Sequence, residues 1–138
     1  MPPFYSQDMD LSRYNVLAVD DVPLNLILIQ KMLSKFNFQI RTAGNGVQAM
    51  EAIAAQKPDL ILLDLMMPVM DGFEVITRVR STPEISDIPI VVLSALNSNE
   101  DIVKGYQLGA NDFITKPIIL EKLLNSIATQ FQLITRSK

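Results

Sequence analysis

Three aspartates, a serine and a lysine each stand directly behind a short apolar run. Asp20 and Asp21 follow Asn15-Val16-Leu17-Ala18-Val19, and Asp64 follows Leu60–Leu63. Ser94 follows Ile90–Leu93, and Thr115-Lys116-Pro117 follow Phe113-Ile114. The 138 residues include no His and no Cys. Ser-His-Asp triads, imidazole or thiolate metal centres and disulfides are thereby excluded. The remaining chemistry is that of carboxylates, hydroxyls, ammonium groups and backbone. If the runs are parallel strands, their carboxyl ends gather three carboxylates, a hydroxyl and an ammonium. Two carboxylates about 4 Å apart repel by about 4 kcal/mol at an effective dielectric of 20. Three need a cation or shifted pKa values to coexist. Hard oxygen ligands favour Mg²⁺ or Mn²⁺ over zinc. With Lys116 and a hydroxyl donor added, such a site suits a phosphoryl group.

The elements that must position these groups alternate along the chain. Strands are expected at Asn15–Val19, Phe38–Arg41, Leu60–Leu63, Ile90–Leu93 and Phe113–Ile114. The clearest runs do not alternate with polar residues, which is the pattern of parallel strands buried on both faces. In the first helix, Leu28, Ile29, Met32, Leu33 and Phe36 follow the spacing of one face, and Pro23 sits within its first turn. Further helices are expected at Val47–Ala55, Phe73–Arg80, Glu100–Leu108 and Leu120–Ile134. Asp71-Gly72 marks a helix entry and Gly109 a helix C-cap. Five strands alternating with five helices imply an α/β sandwich with right-handed crossovers around a parallel sheet. In such sheets ligands sit at the carboxyl ends of the strands, near the switch in strand order.

Composition narrows the function further. Apolar residues make up 49% and charged residues 20% of the chain, enough for one globular core and too apolar for disorder. Twelve basic against fifteen acidic residues leave a net charge of −3. The basic excess that phosphate backbones demand is missing, so direct nucleic-acid binding is not expected. The N-terminus lacks a signal-peptide pattern, and the greasiest window, Leu60–Met70, contains Asp64 and is too short to span a bilayer. No membrane insertion is expected, and the location expected is cytoplasmic.

Four motifs in order resemble the receiver domain of two-component response regulators, in the manner of a chemotaxis-regulator-like single domain. They are Val16–Asp21, Leu62–Gly72 with its Asp64-Leu65-Met66-Met67-Pro68-Val69-Met70-Asp71-Gly72, Val92–Ala95, and Gly109–Pro117. The resemblance covers about Tyr14 to Ile134. It implies a flavodoxin-like (βα)5 three-layer sandwich with a five-stranded parallel sheet in the order 2-1-3-4-5. An arm at 1–13, a receiver domain at 14–135 and a tail at 136–138 are the expected divisions. The resemblance makes Asp64 the phosphoacceptor, attacking the phosphohistidine of a partner. Asp21, Asp64 and the backbone carbonyl of Met66 would hold Mg²⁺ (or Mn²⁺), with Asp20 acting largely through water. Ser94 and Lys116 would contact the phosphoryl group, and the switch pair would be Ser94 and Phe113. The lysine–proline bond at Lys116-Pro117 is typically cis in the family. Expected partners are a histidine kinase or histidine phosphotransfer protein and an unidentified output protein, read through helix 4, strand 5 and helix 5. The same face is the expected one for a dimer.

Weighed singly, these residues have plainer readings: Asp20-Asp21 as a helix cap, Ser94 as a strand-end hydroxyl, Lys116 as a solvated surface residue, Phe113 as core. Asp64 between leucine-rich and methionine-rich stretches resists one, because a buried carboxylate is costly. Leu24, Ile27 and Leu26 fall off the expected core stripe and could meet a donor's apolar face. Ile102 and Tyr106 are similar candidates for an output contact. Met66 and Leu96 occupy the two positions that tune phosphoryl loss in the family. Neither side chain can orient an attacking water, so slow self-dephosphorylation is expected. The reading is a stand-alone signalling domain and not an enzyme, with a receiver cut from a hybrid kinase or a longer regulator as the alternative to its standing alone. Alternatives are a Mg²⁺-dependent phosphohydrolase, for which Met66 stands where an acid is wanted, and a scaffold with a vestigial pocket. A flavin- or dinucleotide-binding domain lacks its glycine-rich turn, since Asp20-Asp21-Val22-Pro23 stands there.

Overall fold

A computed structural model describes residues 11–137. Residues 1–10 of the expected arm and Lys138 of the expected tail lie outside the described residues. The elements run β1 (Asn15–Val19), α1 (Pro23–Met32), β2 (Gln39–Ala43), α2 (Gly46–Ala55), β3 (Leu60–Leu63), α3 (Gly72–Ser81), β4 (Ile90–Ser94), α4 (Asn99–Leu108), β5 (Asp112–Thr115) and α5 (Leu120–Ser137). The five strands are all parallel and lie in the order β2-β1-β3-β4-β5. This is the flavodoxin-like sandwich that the sequence implies.

The central strands explain why their sequences do not alternate. Leu17, Val19, Ile61, Leu63, Ile90 and Val92 point into one core, shared with Ala49, Ile53, Val75, Ile76 and Val79 of α2 and α3. Val16, Ala18, Leu60, Leu62, Val91 and Leu93 point into the other, shared with Ile29 of α1 and Leu123, Leu124, Ile127 and Phe131 of α5. Each face of the sheet therefore needs its own apolar set, and a strand serving both reads as one continuous run.

Helix entries are set locally. Asn45, Asp71 and Ser98 are the N-caps of α2, α3 and α4, accepting from the N–H groups of Gln48, Glu74 and Asp101. Gly109 closes α4 at φ 118°, in the left-handed region. In α1 the N-cap is Val22 and Pro23 takes the first helical position.

Two expectations about α1 need correction. The helix ends at Met32, so Phe36 lies beyond it, although it still packs against the core. Turn-type bonds from Ser34 N–H to Lys31 and from Phe36 N–H to Leu33 replace the helical pattern there. Leu28 is 48% exposed, whereas Leu26, expected off the stripe, packs against the α1/α5 core beside Ile29. Ile29, Met32, Leu33 and Phe36 pack on the core as expected, and Leu26 takes the place expected for Leu28. Phe38 precedes β2 and is buried edge-on against Phe131, at 5.7 Å between ring centroids. Leu11 is buried as well, its N–H donating to Asn37 Oδ1 at 2.8 Å. Tyr14 stacks on Phe131 at 4.1 Å, so the chain is already packed on α5 before β1 begins.

Candidate functional site

Parallel register brings the carboxyl ends of four strands level. Val19 pairs with Leu63, Leu63 with Val92, and Ser94 with Thr115. The residues just beyond these ends therefore share one rim. Asp20 N–H donates to Ala43, and Asp64 N–H to Val19, which extends the ladders by one residue and fixes where each carboxylate leaves the sheet.

One carboxylate oxygen each from Asp20, Asp21 and Asp64 lies within 4.8 Å of the others. Asp20 and Asp64 are buried, at 2% and 6% exposure, and Asp21 is more open. Lys116 Nζ reaches 3.0 Å from Asp20 Oδ2 and 3.8 Å from Asp64 Oδ1. Both oxygens of Asp20 are engaged by the protein. Oδ1 accepts from Val22 N–H at 2.9 Å, and Oδ2 accepts from Asn25 Nδ2 at 3.1 Å as well as from Lys116. Asp64 Oδ1 accepts a long bond, 3.4 Å, from Met66 N–H. Among the described residues no hydrogen-bond donor reaches Asp64 Oδ2 or the Asp21 carboxylate.

The electrostatic consequence falls on Asp64. Burial pushes its carboxyl above the usual carboxylate range, Lys116 pulls it down, and Asp20 pushes it up, with Asp21 adding a smaller push in that direction. Three carboxylates against one ammonium leave two negative charges in a small basin. A donor set made only of hard oxygens with that charge fits a divalent cation such as Mg²⁺.

Ser94 is fully buried at the end of β4, and its hydroxyl oxygen accepts from Leu96 N–H at 3.2 Å. Lys116 N–H donates to the Ser94 carbonyl at 2.8 Å, which ties the lysine's backbone to the serine's strand. The Lys116-Pro117 peptide is cis. Phe113 is half-buried on β5 and packs against the α2/α3 core. Met66 is 55% exposed, while Met67 and Met70 are buried beneath it. Leu24 and Ile27 stand exposed on α1, as does Tyr106 on α4. The Tyr106 hydroxyl lies 3.4 Å from Asp112 Oδ1, and Asp112 Oδ2 accepts from the Ser126 hydroxyl of α5.

Sequence reasoning passed over Asn25, the amide that holds Asp20. Its signal was present: one polar residue inside Leu24–Ile29, five positions after the aspartate. Arg80 was passed over too, and nothing in its neighbourhood of the sequence betrays its partners on other elements.

Comparison with known proteins gives this rim a context. The Response regulator receiver domain family matches residues 16–128. A probable cyclic di-GMP phosphodiesterase of Vibrio cholerae is 35% identical over 129 residues, covering 94% of this chain and 29% of that protein. The chain thus spans less than a third of that curated relative's length. The chemotaxis protein CheY4 of Vibrio cholerae superposes with a TM-score of 0.79 at 31% identity, over 84% of this chain and 97% of that one. The Mn²⁺-bound form of response regulator Rcp1 superposes at 0.72 and 29% identity, over 84% of this chain and 90% of that one. With the matched region running from β1 into α5 and taking in every residue of the acidic rim, this chain belongs to the response regulator receiver domain family.

Proposed function

We propose that this domain accepts a phosphoryl group on Asp64 from a phosphohistidine donor and signals by a change of conformation. The observation that carries the reading is a buried carboxylate, Asp64, with one oxygen free of protein donors, set beside two further aspartates and 3.8 Å from an ammonium. An oxygen of Asp64 attacks phosphorus, the new O–P bond forms as the P–N bond breaks, and the electron pair returns to the donor's imidazole. Asp21, Asp64 and the Met66 carbonyl are the groups that would hold Mg²⁺. Asp20, with both oxygens already occupied, would act through water. The bound cation would supply positive charge against the phosphoryl oxygens. Lys116 supplies a second positive charge on a mobile stem, and the Ser94 hydroxyl a donor to a phosphoryl oxygen. Recruiting Ser94 would draw the β4–α4 segment inward and free room for the half-buried Phe113 ring.

The donor protein, a histidine kinase or a histidine phosphotransfer protein, would approach over α1, where Leu24 and Ile27 flank the basin. The output partner or a second copy would read α4, β5 and α5. Residues 14–135 act as the receiver unit in this reading, and the location is cytoplasmic, in keeping with the absence of any helix among the described residues that could cross a membrane. The domain holds one phosphoryl equivalent and does not turn over phosphoester substrates. Met66 and Leu96 offer no group to orient water, so the acyl phosphate is long-lived; a half-life of seconds would contradict this.

The test is incubation with acetyl phosphate and Mg²⁺ followed by intact mass. One phosphoryl equivalent on the wild type and none on Asp64→Asn is the expected result. Equal labelling of both proteins would remove Asp64 as the acceptor.

A further inference from the structure

The segment from Leu65 to Gly72 is a closed loop. Its neck is the bond from Gly72 N–H to the Leu65 carbonyl, 2.9 Å. A methyl group on Gly72 would run into the Asp64 carbonyl oxygen and lie 2.7 Å from Leu65 Cα. The two ends of the loop therefore touch backbone to backbone, directly beside Asp64. At its far side the loop makes a tight turn, with Met70 N–H donating to the Pro68 carbonyl at 2.8 Å around Val69. Between neck and turn sits Met66, whose N–H faces Asp64.

The far side rests on α2. Gly46 is buried at the first position of that helix, and a methyl group there would lie 2.6 Å from the Met70 carbonyl oxygen and 2.8 Å from Met70 Cβ and Cγ. Its backbone is not in the left-handed region, so glycine is required by the approach of Met70 and not by conformation. Asn45 caps the helix start, accepting from Gln48 N–H at 2.8 Å, and Ala49 and Ile53 fix α2 in the core, so a shift of the helix would disturb that packing. An added atom on Gly46 bears directly on Met70, whose backbone is part of the loop.

We propose that Gly46 is a positioning residue for the acidic site, acting through Met70 and the closed 65–72 loop on the backbone of Met66. The inference rests on the metal-binding reading above. Displacing the loop moves the Met66 carbonyl relative to Asp21 and Asp64, and groups that orient a metal ligand from behind commonly change affinity by about tenfold or more when altered. Gly44, two residues earlier, supplies a matched control. A methyl group there meets only the end of the flexible Gln48 side chain, 3.2 Å from Oε1, and touches no part of the loop.

The experiment measures Mn²⁺ binding by electron paramagnetic resonance, without any phosphodonor, alongside thermal melts in EDTA. Wild type, Gly44→Ala, Gly46→Ala and Met70→Ala are compared. Gly46→Ala should bind Mn²⁺ about tenfold more weakly, while Gly44→Ala matches the wild type. Met70→Ala removes the side chain propped on Gly46 without adding a clash, and should weaken binding in the same direction. It also answers the question if Gly46→Ala does not fold. A lowered melting temperature with unchanged Mn²⁺ affinity, in either variant, assigns Gly46 to packing alone and overturns the proposal. Absence of Mn²⁺ binding by the wild type itself sinks the metal reading, and this inference with it.

Discussion

Lys116 Nζ lies 3.0 Å from Asp20 Oδ2, closer than the 3.8 Å to Asp64, so the ammonium's first partner is an aspartate 96 residues upstream. The same Asp20 is held by Val22 N–H and Asn25. Asp20 is thus fully compensated and Asp64 only partly so. That asymmetry leaves Asp64 freer than Asp20 to take a phosphoryl group or a cation, with one oxygen that no donor among the described residues reaches.

Asp64→Asn should stabilise the metal-free protein at neutral pH. Burial raises the Asp64 carboxyl in the folded state above its unfolded value, with Lys116 opposing. A carboxyl raised in this way costs nothing below its unfolded pKa, and its cost grows as pH climbs through the folded one. The gain in the variant, present at neutral pH, should vanish in acid. Thermal melts in EDTA at neutral and acid pH measure it; an equal gain at both would show that charge is not the cause.

Mg²⁺ should raise the unfolding free energy by mass action, by about 2.7 kcal/mol at a concentration one hundred times its dissociation constant. EDTA should abolish the gain. Asp21→Asn should shift the Mg²⁺ dependence to higher concentration while leaving the melt in EDTA close to wild type, since Asp21 is the most open of the three and donors leave it free. Differential scanning fluorimetry against Mg²⁺ concentration reads both effects.

Arg80→Ala should cost about 2–4 kcal/mol and spare phosphorylation. Its guanidinium donates to the carbonyls of Gly109 (3.0 Å), Ser86 (3.0 Å) and Ile88 (2.7 Å) and to Asn111 Oδ1 (2.8 Å). Asn111 Oδ1 also accepts from Ile90 N–H. The clamp joins the end of α3, the start of β4 and the α4–β5 turn at the amino ends of the strands, away from the acidic rim. Urea denaturation should show the loss, while acetyl phosphate still labels Asp64.

Val69→Gly should stabilise by about 1 kcal/mol. Val69 has φ 69° at the centre of its three-residue turn and is 98% exposed, so a β-branched side chain bears left-handed strain and buries nothing in return. The midpoint of chemical denaturation should rise; a fall would show that the valine side chain contributes a contact.

How much was legible in the sequence differs by element. β1, β3 and β4 were readable because a strand buried on both faces must be apolar throughout. Asp71 and Gly109 were readable because caps are local, decided by one side chain or one φ angle. On α1 the positions of Ile29, Met32, Leu33 and Phe36 were readable, but the choice between Leu26 and Leu28 was not, because Leu24, Leu26, Ile27, Leu28 and Ile29 are all apolar and a periodicity without contrast does not choose a direction. Packing against α5 and the sheet chose it, and left Leu28 exposed beside Leu24 and Ile27.

By itself the sequence determined the alternation of strands and helices, the oxygen-and-ammonium chemistry and the places in the chain where those groups stand. Tertiary structure alone decided that Lys116 reaches Asp20 before Asp64, that Asn25 holds Asp20, that Arg80 gathers four acceptors from two segments, and that Gly46 must stay bare beneath Met70. Most of these depend on a distance between atoms whose residues are remote in the chain, as Lys116 is from Asp20 by 96 positions, and even the five positions from Asp20 to Asn25 do not by themselves give the contact. Such distances are set by strand register and helix packing, which emerge only when all the apolar faces are buried at once.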